Sequence, residues 1–194
     1  MNEKLLLEYV DRVGIVTLEE LAGQTGSAGE FLYRPVRSLI AQKQLFFCRL
    51  GGGRETLLSN HLLFCLLAVY AEPELSADAQ EIFDWLCDNE PAAEDALRAA
   101  AMPDGAGFPE AFAELQRKLS VAPVGDAVAT QDRTTGEGEI TAGYSWVTIE
   151  TWLDGVRRPG RYRELEYCIS EIRRLLKGYF STRELNALIY RGAL

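Results

Sequence analysis

Between Leu5 and Ser59 the spacing of apolar residues changes several times, and those changes restrict the fold more than any motif does. Leu5, Leu6, Tyr9, Val10 and Val13 recur at helical intervals, and Gly14-Ile15-Val16 is a short extended piece. Thr17 with Glu20 three residues on is a capping box, in which each side chain satisfies a backbone N–H at a helix start. Gly23 to Gly26 marks a turn, and Ser27 with Glu30 makes a second capping box. Leu32, Val36, Leu39 and Ile40 then follow as one buried helical stripe. The aromatic-rich run Leu45 to Leu50 has strand character. Three glycines and Arg54 form a hairpin tip, and Glu55 to Ser59 is the returning strand.

Helix, short strand, helix, helix, hairpin is the order of a winged helix-turn-helix. From Pro73 to about Glu150 the order recurs. Ser76 caps a helix over 77–88, and Pro91 sits in the first turn of a helix over 92–101. Phe108, Phe112, Leu115 and Leu119 mark a third helix. Val121 to Thr130 and Glu139 to Ile149 are two strands around a polar tip, Gln131 to Gly138. Val147 to Leu153 has the look of a short helix running on from the second strand. Tyr162, Leu165, Ile169, Ile172 and Leu176 give a helical stripe, and Ser181 with Glu184 opens a final helix with Leu185, Leu188 and Ile189 inward. The expected class is mainly α with small β-hairpins (α+β), a tandem winged helix-turn-helix with C-terminal helices. The expected divisions are a winged helix-turn-helix at 1–71, a second, acidic winged-helix-like domain at 72–154, and a basic helical segment at 155–194.

Charge follows the same divisions. Residues 1–71 carry seven basic and seven acidic side chains, residues 72–154 four and eighteen, and residues 155–194 nine and four. The overall net charge of −9 argues against indiscriminate coating of nucleic acid, yet leaves room for one basic face beside an acidic body. The third helix of such a unit is the one that enters a major groove. Here it directs Arg34, Arg37 and Lys43 away from the apolar stripe, with Arg54 at the hairpin tip. These four are the candidate nucleic-acid-binding residues. In the second unit Glu110 and Glu114 lead the equivalent helix, which would meet phosphate repulsively. Arg157, Arg158, Arg161 and Arg163 form a secondary basic patch that contacts phosphate or pairs with the acidic middle block.

No apolar run approaches the roughly 18 residues that span a bilayer, and no secretory signal opens the chain, so the expected location is cytoplasmic. Cys48, Cys65, Cys87 and Cys168 are scattered, and a lone histidine, His61, gives no metal-ligand spacing. Asp126, Asp132, Glu137 and Glu139 lack the alternation of a calcium loop and are expected to be solvated. No metal and no cofactor is expected. His61 has no Ser or Cys beside it in sequence to serve as general base for.

Consecutive winged helices with a helical tail, and a Tyr-Ser-Trp-Val strand (144–147) leading into Glu150-Thr-Trp-Leu, resemble the AlkZ/YcaQ-like family of multi-winged-helix DNA glycosylases and relatives. The family's enzymes carry a Gln-x-Gln or Gln-x-Asp pair on an apolar segment lining the lesion pocket. The only Gln-x-Gln here is Gln42-Lys43-Gln44, at the polar end of a helix, and Gln131-Asp132-Arg133 falls in the polar tip between the two strands. On that placement the resemblance implies a reduced, non-catalytic relative. Three functions follow: a winged-helix double-stranded-DNA-binding protein in a regulatory or genome-maintenance role, a protein–protein adaptor or self-associating dimer, and an AlkZ-like DNA glycosylase. The first is the leading expectation, and an enzyme is the less favoured class.

Overall fold

The computed structural model describes residues 2–25, 30–50, 53–69, 74–101, 107–125, 144–156 and 160–191. The chain is mainly helical with small antiparallel sheets, an α+β protein. It opens with α1 (Glu3–Val13), β1 (Ile15–Thr17), α2 (Leu18–Thr25), α3 (Glu30–Ala41), β2 (Leu45–Leu50), β3 (Arg54–Ser59) and α4 (Asn60–Val69). The same order then repeats as α5 (Ala77–Asn89), β4 (Ala92–Ala93), α6 (Glu94–Ala101), α7 (Phe108–Arg117), β5 (Val121–Val124), β6 (Ser145–Thr148) and α8 (Ile149–Leu153). A 3-10 turn (Gly160–Arg163), α9 (Leu165–Leu176) and α10 (Thr182–Arg191) complete it.

The strands also repeat. Each sheet has three antiparallel strands, in the order β1-β3-β2 and β4-β6-β5, so the first strand pairs with the last rather than with its neighbour in sequence. The turns leaving α3 and α7 match atom for atom. The N–H of Lys43 donates to Ile40 O and that of Gln44 to Leu39 O, while Leu119 donates to Gln116 O and Ser120 to Leu115 O. This pair of bonds closes a helix around one left-handed residue, and the left-handed residues are Lys43 (φ 54°) and Leu119 (φ 55°). Each sheet then launches a helix from a hydroxyl cap: Ser59 Oγ accepts from Leu62 N–H, and Thr148 Oγ1 from Thr151 N–H.

The capping signals read from sequence are realised where they are described. Thr17 N–H donates to Glu20 Oε2 at 3.0 Å and Glu20 N–H to Thr17 Oγ1 at 3.2 Å. Ser76 Oγ receives Ala79 N–H, and Ser181 and Glu184 bond reciprocally. Ser27 lies outside the described residues. Four expectations need correction. Ala92 and Ala93, expected in a helix, instead pair with Trp146 and Ser145 as an edge strand, so that helix starts at Glu94. Arg54 is not at the hairpin tip but already in β3, opposite Leu50. The short helix at 147–153 begins only at Ile149, because Val147 and Thr148 are in the β6 ladder. Leu165, placed in the buried stripe from sequence, is 52% exposed. It is the first residue of α9, and the buried face of that helix begins one turn further on, at Cys168 and Ile172.

Among the described residues two hydrophobic clusters form, one on each face of the sheets. The first joins Leu6, Val10, Val36, Leu39, Phe47 and Leu57 to Ile82, Leu86, Phe112, Val121 and Trp146. The second joins Phe46, Cys48 and Leu58 to Ala122, Val147 and Trp152, beneath α4, α9 and α10. Burial on both faces explains why Leu45 to Cys48 is apolar without alternation. Both clusters draw on residues from either side of position 72. The packing between repeats is reciprocal as well, with α3 against β5, α7 against β2, and β2 beside β5.

Candidate functional site

Of the four cations expected on one surface of the first repeat, the structure leaves Arg34 exposed on α3 and Arg54 exposed at the start of β3. Arg37 is half-buried, and its carbonyl accepts the Tyr144 hydroxyl at 2.9 Å. Lys43 lies past the helix end and not on its solvent face. Its left-handed backbone turns the side chain toward the second repeat, where Nζ donates to Trp152 O at 2.8 Å and to Asp154 O at 3.1 Å. Those are carbonyls at the end of α8, where a cation is favoured by the helix dipole. The ammonium also stands 5.9 Å from the centroid of the Trp152 ring. Asn60 fixes the turn by donating Nδ2–H to Lys43 O. The C-terminal end of α3 is therefore occupied by contacts with the second repeat. Arg54 is one of the charges acting on Tyr179, whose hydroxyl burial and nearby Glu20 push up to about 12.

A second group, not anticipated from sequence, centres on His61 at the start of α4. Its Nε2 is 2.7 Å from Glu171 Oε2 and its Nδ1 2.8 Å from the Tyr162 hydroxyl. Glu171 also receives the Arg174 guanidinium through Nε at 3.0 Å and Nη2 at 2.7 Å. The Arg174 bonds, reinforced by His61 against partial burial, hold the Glu171 carboxyl down at about 2. With that carboxylate ionised, Nε2 carries a proton toward it, and in the neutral ring Nδ1 accepts from Tyr162 O–H. Tyr162 is buried and packs on Phe64 with ring centroids 5.2 Å apart. Its oxygen accepts from Arg161 Nη2 at 3.3 Å, and the Arg161 guanidinium lies 5.2 Å from the Tyr162 ring and 6.0 Å from that of Tyr167. This chain of contacts ties α4 to the 3-10 turn and α9, and ends on the exposed guanidinium of Arg161.

Of the secondary basic patch, Arg161 and Arg163 are exposed on the 3-10 turn, while Arg157 and Arg158 lie outside the described residues. In the acidic middle block Glu94 pairs with Arg98 and Glu114 with Lys118, each within one helix or its end. Gln42 is exposed and donates to Ser38 Oγ at 2.8 Å, and Gln44 is exposed as well, so no apolar wall surrounds that pair. Gln131, Asp126, Asp132, Glu137 and Glu139 lie outside the described residues. Among the described residues no group of three metal-ligating side chains converges, and no helix is long and apolar enough to cross a membrane. Burial pushes the Cys65 thiol up to about 12 and raises that of Cys48 further, which is the behaviour of core residues rather than nucleophiles.

Set beside known proteins, the chain matches no family model, no curated protein and no solved structure.

Proposed function

We propose that this chain is a tandem winged-helix protein whose first repeat binds double-stranded DNA, in a regulatory or genome-maintenance role and without catalysis. The observation that carries the reading is the strand order of the first repeat. β1 pairs with the distal strand of the β2–β3 hairpin beneath a three-helix layer, which is how a wing is anchored beside a recognition helix. On that frame Arg34 stands on the third helix and Arg54 on the hairpin, both exposed. In the second repeat the place of Arg34 is taken by Glu110, counted from the matching turns at Lys43 and Leu119, so DNA contact is one-sided.

With Lys43 committed to α8, the cations of the first repeat neutralise few phosphates, and affinity is modest and steeply salt-dependent. Fluorescence anisotropy with labelled duplex tests this. Binding at about 50 mM salt that weakens by about 200 mM, and is reduced by joint Arg34→Ala and Arg54→Ala replacement, is expected. Absence of binding at the lower salt removes the proposal.

One observation favours a second reading, an adaptor or self-associating protein. Asp78, Glu81, Asp84 and Asp88 are all exposed along α5, a negative face that suits a basic protein partner. Light scattering over a salt series separates the two: mass that falls as salt rises belongs to this reading, and a salt-independent monomer rules out self-association. The glycosylase reading has no such support, because Gln42 and Gln44 sit in solvent.

A further inference from the structure

We infer that Arg161 is a further phosphate contact for duplex DNA, beyond Arg34 and Arg54, set in position by the Tyr162–His61–Glu171–Arg174 chain; this rests on the DNA-binding reading above. Long arginine side chains in solvent sample many rotamers, and a contact that must fix one loses side-chain entropy. Arg161 is spared part of that loss. Its guanidinium is held over the faces of Tyr162 and Tyr167 and by one N–H bond to the Tyr162 hydroxyl, while the residue stays exposed. A guanidinium has five N–H donors, so one bond to Tyr162 leaves several to engage phosphate oxygens. Tyr162 is itself fixed by His61, and His61 by a carboxylate locked to Arg174. The outermost member of this layered arrangement is an exposed cation. Arg163 is exposed two residues along the same turn and adds to the positive field. Glu164 and Glu166 border the turn at the start of α9 and limit that field, so the contact is local and not a broad basic surface. Backbone phosphate on duplex DNA matches this chemistry, since its two non-bridging oxygens can accept the paired N–H donors of a planar guanidinium.

The experiment uses the full chain and a fluorescein-labelled duplex, with affinity followed from about 50 to 200 mM salt. Arg161→Ala is expected to flatten the slope of log K against log salt by about 0.9, the share of one phosphate, and to weaken binding roughly fivefold to tenfold at 0.1 M salt. Arg98→Gln, which removes the same charge from exposed α6, is expected to leave the slope unchanged. Tyr162→Phe keeps the ring and deletes the hydroxyl, so it should weaken binding while shrinking the further effect of Arg161→Ala in a double-mutant cycle. An unchanged slope in Arg161→Ala, or an equal change in Arg98→Gln, overturns the inference. If the Arg34/Arg54 variant still loses affinity, the DNA-binding reading survives that result. A full Arg161→Ala effect in the Tyr162→Phe background overturns the positioning role alone. Wild-type protein that fails to bind duplex at about 50 mM salt defeats both proposals together.

Discussion

Lys43 and Trp152 meet across the boundary between the repeats: the ammonium donates to the tryptophan carbonyl at 2.8 Å and lies 5.9 Å from the centre of its ring. A side chain read from sequence as part of a DNA-binding face is in fact a cap on a helix of the other repeat. Lys43→Met keeps the aliphatic stem and removes the donor, leaving Trp152 O and Asp154 O to solvent. Charged hydrogen bonds at partly exposed positions contribute about 1–2 kcal/mol, so urea unfolding should show a loss of that size with an unchanged m-value. DNA affinity should be little altered. A large loss of affinity with no loss of stability would return Lys43 to the interface.

Glu171 predicts the behaviour in acid. Its folded carboxyl is held near 2, below its ordinary value, by Arg174 and His61. The stability contributed is fully present above the ordinary carboxylate value and is lost as pH falls toward 2. Between pH 5 and pH 2, thermal midpoints of wild type should therefore fall more steeply than those of Glu171→Gln. The variant should already be less stable at neutral pH. Parallel profiles would show that the carboxylate is not differentially bound in the folded state.

Much of the fold was legible because local signals agreed with one another. Thr17 with Glu20, Ser76, and Ser181 with Glu184 announced helix starts that form as read, and the change of spacing at Leu45 marked β2. What failed was set by distant partners. Ala92 and Ala93 are too few to show alternation, and become a strand only because β6 lies alongside more than fifty residues later. Lys43 was misplaced because nothing in a lysine announces a left-handed turn. The His61 group was invisible for a plainer reason: its partners are 101 and 110 residues away, on elements whose packing no periodicity reports. A hint was present, since His61 is four residues from Cys65 and Glu171 three from Cys168, polar groups at the edge of buried helical stripes.

Gly14 should tolerate no side chain. Its φ is +83°, and a Cβ there would stand 2.8 Å from Leu175 Cδ1 and 3.1 Å from Leu175 Cβ. Gly14→Ala combines backbone strain with a clash against α9, and a loss of about 2–4 kcal/mol is expected by chemical denaturation. Leu175→Ala in the same background should recover part of it, by clearing the space. Failure of that rescue would place the whole cost in the backbone.

Trp146 tests whether the repeats unfold together. It is 1% exposed, packs edge-on against Phe112 with centroids 4.8 Å apart, and lies in the cluster that also contains Leu6 and Val36. Trp146→Ala should cost about 3–5 kcal/mol. Calorimetry should still show one transition, displaced as a whole. Two separated transitions would mean that the halves are independent despite their common interior.

The matching turns after α3 and α7 bear on how such a molecule can change. Where two identical subunits associate, each substitution is made in both copies at once. Tethering the copies in one polypeptide removes that obligation, so Arg34 and Glu110 can hold corresponding places with opposite sign. The two surfaces can thus differ in charge while the scaffold beneath them stays alike.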